Sequence, residues 1–245
     1  MHARSEAETE RAALLPVAVL LGGRGTRLGD LARDTPKALV PVAGEPFLFH
    51  QLRLLASHGA RRVVLCVGHL GEQIADAVSS GAQFGLDVEY AFDGPEPVGT
   101  AAALRQASGL LGERFLVTYG DAYLRADHGA VQDAFLRSGL PGLMTVIEND
   151  GRWVASNAVF SDGVVTAYDK RTPPPEARWV DYGVLAFEAR VFDEHDAADL
   201  SDLCRELAAR GALGGFLVRE RFYEIGTPEG LAEADAFLRE QRERR

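Results

Sequence analysis

Apolar and polar residues along this chain follow two different rhythms, one in each half. Residues 16–21 form an unbroken apolar run that ends in Gly22-Gly23, the pattern of a strand buried on both faces. Pro46 suits the first turn of a helix running to His58, with Gly59 as its stop. Residues 61–67 predict a second buried strand, 72–79 a short helix, 86–92 an alternating strand and 99–107 another helix. Residues 114–119 predict a further apolar strand, closed by Gly120-Asp121. Strand and helix thus take turns, which implies right-handed crossovers and a parallel sheet covered on both faces. In such sheets ligands sit beyond the carboxyl ends of the strands.

The second half is richer in strands. Residues 142–147, 158–160, 164–168 and 179–187 read as strands, and Ser161-Asp162-Gly163 suits a hairpin turn. Thr172-Pro173-Pro174-Pro175 excludes helix and central strand, so it predicts an exposed loop. Residues 200–210 and 228–242 read as helices. The expected architecture is α/β: a three-layer, Rossmann-like, mostly parallel sheet with helices on both faces and a strand-rich substrate lobe. Residues 1–15 read as a flexible leader without the apolar core of a secretion signal. Residues 16–242 read as one domain, split into halves at about 16–125 and 126–235.

Composition narrows the function. A formal charge of −10 argues against a general nucleic-acid binder, which would carry a basic face. No apolar run approaches the ~18 residues needed to span a bilayer, so a membrane partner is not expected. Cys66 and Cys204 lie far apart with no CxxC, which disfavours a disulfide or zinc site and suits a reducing cytoplasm. His50 and His69 lack a nearby metal-type partner and read as structural or surface residues.

The loop after the first strand, Gly22-Gly23-Arg24-Gly25-Thr26-Arg27, has the makings of a phosphate cradle. Glycines let backbone N–H groups approach oxygens closely, and arginines add forked donors. A dinucleotide fingerprint GxGxxG would need glycine where Leu28 stands, and the P-loop GxxxxGK[ST] has no match. A purely structural tight turn is the bland alternative.

The continuation decides between them. Leu21-Gly22-Gly23-Arg24-Gly25-Thr26-Arg27-Leu28, followed by Thr35-Pro36-Lys37-Ala38-Leu39, resembles the GGxGTRL…PKP signature of the sugar-1-phosphate nucleotidylyltransferases. Pro97-Val98-Gly99-Thr100-Ala101 is similar to that family's LGTA segment, and Tyr119-Gly120-Asp121 to its GD element. Asp169-Lys170-Arg171 stands where the family has its EKP lysine. Tyr223-Glu224-Ile225-Gly226-Thr227-Pro228-Glu229 resembles its DIGTPE. The resemblance spans roughly residues 17–235 and implies a GT-A-like nucleotidyltransferase fold.

It also implies Mg²⁺ as cofactor, and a nucleoside triphosphate and a sugar 1-phosphate as partners. By the same resemblance, Lys37 and Arg27 are catalytic, and Leu21, Gly22, Gly23, Arg24, Gly25, Thr26, Arg27, Gly99 and Thr100 bind the nucleotide. Asn157, Lys170, Asp181 and Gly183 face the sugar phosphate, and Asp121 and Glu224 hold the metal. Glu224 replaces the usual aspartate, and a strand-end or structural carboxylate stays open as the alternative for each metal candidate. Ser156-Asn157 and Asp181-Tyr182-Gly183 depart from the usual Tyr-Gly and Asn-Ala-Gly, so a common hexose does not follow. Trp153 and Trp179 read more readily as packing residues than as sugar platforms.

The nearest likeness is to D-glycero-D-manno-heptose 1-phosphate guanylyltransferases, which use GTP, and to short N-acetylmuramate 1-phosphate uridylyltransferases. A regulatory nucleotide-sugar-binding protein is the alternative of another class. Relatives leave room for a homo-oligomer, a dimer or tetramer.

One feature independent of the motif supports the resemblance. Of 26 basic residues only Lys37 and Lys170 are lysines, leaving 24 arginines. The chain uses arginine for generic positive charge and lysine at the two positions where a compact ammonium would sit among phosphate oxygens.

Overall fold

Apolar runs too long to leave one face in water fold into the centre of a nine-stranded sheet. The structure is a computed structural model that describes residues 13–23, 27–29, 33–94, 96–149, 152 and 154–244. In chain order the elements are β1 (Val17–Leu20), the short pair β2 (Pro41–Val42) and β3 (Glu45–Pro46), α1 (Phe47–Ser57), β4 (Arg62–Val67), α2 (Gly71–Val78), β5 (Asp87–Phe92), α3 (Thr100–Leu111) and β6 (Arg114–Tyr119). There follow β7 (Ala122–Tyr123), α4 (His128–Ser138), β8 (Gly142–Glu148), β9 (Ala158–Ser161), β10 (Val164–Tyr168) and β11 (Trp179–Glu188). The chain closes with α5 (Val191–Glu194), α6 (Leu200–Ala209), β12 (Leu213–Val218), β13 (Tyr223–Glu224) and α7 (Pro228–Glu243).

The sheet order is β5-β4-β1-β6-β11-β8-β12-β10-β9. The first four strands are parallel, with Val17 opposite Val63 on one side and Leu116 on the other. From β6 onward the second half adds antiparallel neighbours, β11 against both β6 and β8, with β12 parallel to β8. The same sheet therefore runs without a break through both halves of the chain. Val17, Ala18 and Val19 are fully buried, and alternate side chains feed two separate apolar cores, one on each face. That is the signature of a doubly covered sheet.

Several sequence expectations meet detail here. The helix expected over 99–107 runs on to Leu111, because Leu104, Ala107 and Leu111 share one buried face. Helix α4 and strand β12 have no counterpart in the hydrophobic pattern. The exposed half of α4 is polar, and β12 opens Leu-Gly-Gly, a poor strand former that succeeds because it is clamped between β8 and β10. Ser161-Asp162-Gly163 does turn the β9–β10 hairpin, with positive φ at Asp162 and Gly163. Within the segment read as a leader, Leu14 and Leu15 pack on the core, and the Leu15 N–H donates to Gln132 Oε1 at 2.6 Å. Those residues are docked, while residues 1–12 lie outside the described ones.

Candidate active site

The carboxyl ends of β5, β4, β1 and β6 open onto a cavity of about 350 Å³. Its lining includes Leu21, Gly22, Gly23, Arg27, Lys37, Gly99, Thr100 and Asp121, all singled out from the sequence. Arg24, Gly25 and Thr26, the remainder of the loop, lie outside the described residues, as does Trp153. Lys37 and Asp121, 84 positions apart in sequence, thus meet because parallel strands bring successive loops to one edge of the sheet.

The best-defined contact is the ion pair between Lys37 Nζ and Asp121 Oδ2 at 2.6 Å, with the lysine side chain only 11% exposed. Lys37 opens a short 3-10 turn through Leu39. Asp121 is placed by the sharp bend between β6 and β7. Gly120 permits that bend: a Cβ there would run into Leu21 Cδ2 and come within 3.0 Å of the Leu20 carbonyl. The buried Gln51 of α1 ties the bend down, its Nε2 donating to the carbonyls of Tyr119 and Ala122 at 2.9 and 2.6 Å.

Glu224 arrives beside Asp121 through strand pairing. It lies opposite Ala122 across β13–β7, and the Ile225 N–H donates to the Asp121 carbonyl at 2.9 Å. Burial raises the Glu224 carboxyl above the ordinary glutamate value, and the Asp121 charge pushes it further, against the pull of Lys170 and Lys37. Asp121 lines the cavity while Glu224 stands outside its lining. Two neighbouring carboxylates that repel one another are a donor set a hard cation would relieve, and Mg²⁺ usually takes one or two. No cluster of three or more His, Cys, Asp or Glu fit to hold a metal occurs among the described residues. An ion here would complete its shell with phosphate and water. Gly226, two residues on, faces the cations: a Cβ built there would stand 3.5 Å from both Lys37 Nζ and Arg27 Nη2.

On the far side of Tyr119, Lys170 lies 5.4 Å above the tyrosine ring and pairs with Asp181 Oδ2 at 2.9 Å. Burial works against the ammonium charge, but the Asp181 carboxylate outweighs it and holds Lys170 above the ordinary lysine value. Asp181 is itself heavily engaged. Its Oδ2 also accepts from the Tyr168 hydroxyl at 3.1 Å, its Oδ1 accepts from the Gly183 N–H at 3.0 Å, and its own N–H donates to Asn157 Oδ1 at 3.0 Å. Asn157, Asp181 and Gly183 are therefore brought together around Lys170, with Asp181 orienting the ammonium. Tyr119 and Tyr168, which shape this corner, were not flagged by sequence pattern because each reads as an ordinary strand residue.

Gly99, at φ +89, turns the chain into α3, and a Cβ would lie 2.6 Å from the Ala198 carbonyl. The Thr100 hydroxyl accepts from the Leu200 N–H at 2.8 Å, so the entrance to α3 is tied to the first residue of α6. Asp93 and Asp199 also line the cavity and were not anticipated. The signal for Asp93 was available: it directly follows a predicted strand of the parallel half. Cys66 and Cys204 are both free and buried.

The chain belongs to the nucleotidyl transferase family, whose model matches residues 17–241. It is 31% identical over 231 residues to N-acetylmuramate alpha-1-phosphate uridylyltransferase of Neisseria meningitidis, covering 89% of this chain and 96% of that one. It is 29% identical over 229 residues to mannose-1-phosphate guanylyltransferase of Mycobacterium tuberculosis, covering 90% of this chain but 63% of the relative's length. Among solved structures, HddC from Yersinia pseudotuberculosis complexed with GMP-PN matches with a TM-score of 0.76 at 24% identity, over 92% of this chain and all of that one. These place the chain among sugar-phosphate nucleotidyltransferases by family, and the last by fold. No helix among the described residues is long and apolar enough to cross a membrane.

Proposed function

We propose that the protein transfers a nucleoside monophosphate from a nucleoside triphosphate to a sugar 1-phosphate, releasing pyrophosphate, and that the pair is GTP and a heptose 1-phosphate. The observation that carries the transfer reading is the Lys37–Asp121 pair at 2.6 Å on the rim of a cavity that also takes in Arg27 and the glycine loop. A phosphate monoester oxygen is already nucleophilic at neutral pH, so the site needs no strong base. That oxygen forms a bond to the α-phosphorus, the bond from the α-phosphorus to the bridging oxygen breaks, and pyrophosphate leaves with the electron pair. Catalysis is then positioning and charge stabilisation.

In this reading the glycine-loop N–H groups and Arg27 hold the triphosphate. Lys37 stands between the α-phosphate and the incoming phosphate, as a compact charge donating to both. Lys170, held by Asp181, meets the sugar phosphate across Tyr119. Asp121 and Glu224 would hold Mg²⁺, which supplies charge neutralisation on the phosphates when bound. Asp181 uses both its oxygens on Lys170, Tyr168 and Gly183, so it offers little to a sugar hydroxyl. With Asn157 and Tyr182 in place of common hexose-site residues, this supports a sugar other than a common hexose. A homo-oligomer and a cytoplasmic setting complete the proposal.

Pyrophosphate release measured with a panel of triphosphates and sugar 1-phosphates tests it. Release with GTP and a heptose 1-phosphate is expected. Release confined to UTP or dTTP would replace the guanylyl part of the reading, and nucleotide binding without any release would favour a nucleotide-sugar-binding regulatory protein.

A further inference from the structure

The two sides of the Lys37–Asp121 pair are held in different ways. Gln51 fixes the Asp121 side directly, through the carbonyls of Tyr119 and Ala122. The Lys37 side is held from behind. Pro36, Pro41 and Pro46 each fix their own φ. The Val40 N–H donates to the Lys37 carbonyl at 3.1 Å, and the Phe47 N–H donates to the Val40 carbonyl at 3.1 Å. The segment 36–47 is therefore stiff, and its far end is the turn at Ala43-Gly44 between β2 and β3.

Ala43 takes φ +49, in the left-handed region that an alanine does not choose unaided. Both of its backbone polar groups are taken by α7. The Ala43 N–H donates to Asp235 Oδ1 at 2.6 Å, and the Ala43 carbonyl accepts from Arg242 Nη1. Arg242 Nη2 also meets Glu45 Oε1 at 2.9 Å, on the other arm of the turn. The two contacts to Ala43 span 192 and 199 positions of sequence. Ala43 is 3% exposed, so a lost partner would leave a buried group unsatisfied.

The same helix is fixed at its start to the strand that carries Glu224. The Thr227 hydroxyl caps it by accepting from the Gly230 N–H at 3.1 Å, and a Cβ at Gly230 would run into the Glu224 carbonyl. Between these ends Leu231 packs on Leu28 and Val40. Apolar docking through Ala234 and Leu238 is enough to seat α7 on the core. It does not account for two charged side chains spent on one alanine at a positive φ.

We propose that Asp235 is a positioning residue of the transfer site: by holding Ala43 it sets where the Lys37 ammonium stands, and α7 ties that position to Glu224. The role of Lys37 in catalysis rests on the nucleotidyl-transfer reading, whereas the mechanical link does not.

Lys37 and Lys170 are the only lysines, so NMR of the full chain labelled with ¹³C at lysine Cε shows one side-chain signal for each, assigned with Lys37→Arg. Asp235→Ala removes the acceptor for the Ala43 N–H, and Asp235→Asn keeps one. In Asp235→Ala the Lys37 signal should shift while that of Lys170 stays. With the substrate pair that wild type turns over, kcat for pyrophosphate release should fall about tenfold at little change in triphosphate KM. Asp235→Asn should restore both. Arg239→Ala removes the other partner of Asp235 while leaving Ala43 held, and should match wild type. If Asp235→Ala does not fold, Arg242→Met, which frees the Ala43 carbonyl, carries the same expectation. A Lys37 signal unmoved by loss of the clamp, or an Asp235→Asn as impaired as Asp235→Ala, would overturn the assignment. Absence of pyrophosphate release from wild type with every pair would sink the transfer reading and leave the Lys37 signal to judge Asp235.

Discussion

Replacing Lys37 with arginine keeps the charge and tests whether geometry matters. The Lys37 ammonium sits 2.6 Å from Asp121 with its side chain 11% exposed, in the corner where Arg27 also arrives. A Cβ on Gly226 would stand 3.5 Å from each of the two cations, so this corner is already shared. A planar guanidinium is wider, donates in a fixed fork and would satisfy Asp121 while missing a point between two phosphates. Losing one preorganised charged donor costs about 2.7–4 kcal/mol in the transition state, or roughly 10²–10³ in kcat. Folding stability should change by less than ~1 kcal/mol, because Lys37→Arg retains a partner for Asp121. The assay is steady-state pyrophosphate release with kcat and both KM values resolved, together with Tm and nucleotide affinity. A large fall in kcat, with the triphosphate KM and Tm little changed, is expected. A kcat within threefold of wild type would refute the argument that a compact ammonium is required.

Two further outcomes follow from the charges around this site and in the core. Glu224→Gln should raise the Mg²⁺ concentration for half-maximal activity at least about tenfold. Because burial and Asp121 raise the Glu224 carboxyl, protons compete with metal above the ordinary glutamate range. The wild-type Mg²⁺ requirement should therefore climb as pH falls below neutral, and an unchanged requirement in Glu224→Gln would count against ligation. In the core, burial first and the His58 charge second lower His128 from 6.5 to about 4, against the Ala126 carbonyl. A histidine depressed on folding binds its proton more readily when unfolded, so stability is full above pH 6.5 and declines as pH falls towards 4. The difference amounts to at most about 3 kcal/mol. Urea unfolding at pH 7.5 and 5 should show the loss and His128→Gln should flatten it; equal slopes in both proteins would contradict it.

Legibility from sequence followed the physics of each signal. Buried parallel strands announce themselves as apolar runs, so β1, β4 and β6 stood out, and the loops at their ends were the right place to seek chemistry. The Lys37–Asp121 pair was foreshadowed by type and order, not by distance, because contact across 84 positions is made by sheet topology. Strand β12 escaped because its glycines mimic a loop, and only its neighbours hold it extended. Asp181 was legible as polar and site-facing, yet its part as the anchor of Lys170 depends on Tyr168 at the end of β10 and on the Gly183 N–H two residues along β11. Asp93 escaped because a lone aspartate after a strand is ordinary until the cavity it lines is seen.

An acidic protein that handles a triphosphate raises a charge problem that the arginine-rich loop only partly answers. The described cavity lining contributes Arg27 and Lys37 against Asp93, Asp121 and Asp199, so it carries more negative than positive charge. Lys37 is already paired with Asp121, and Glu224 stands alongside. A triphosphate entering alone would meet this field unfavourably, whereas its complex with a divalent cation brings the missing charge and gives Asp121 and Glu224 a shared partner. Removing the metal should therefore weaken nucleotide binding itself, roughly 10² or more, and not only turnover. Calorimetry with GTP in excess chelator, against the same titration with Mg²⁺, reads this without any reaction. Affinity in chelator within threefold of that with Mg²⁺ would mean that the loop alone neutralises the phosphates, and that the two carboxylates serve the fold instead of an ion.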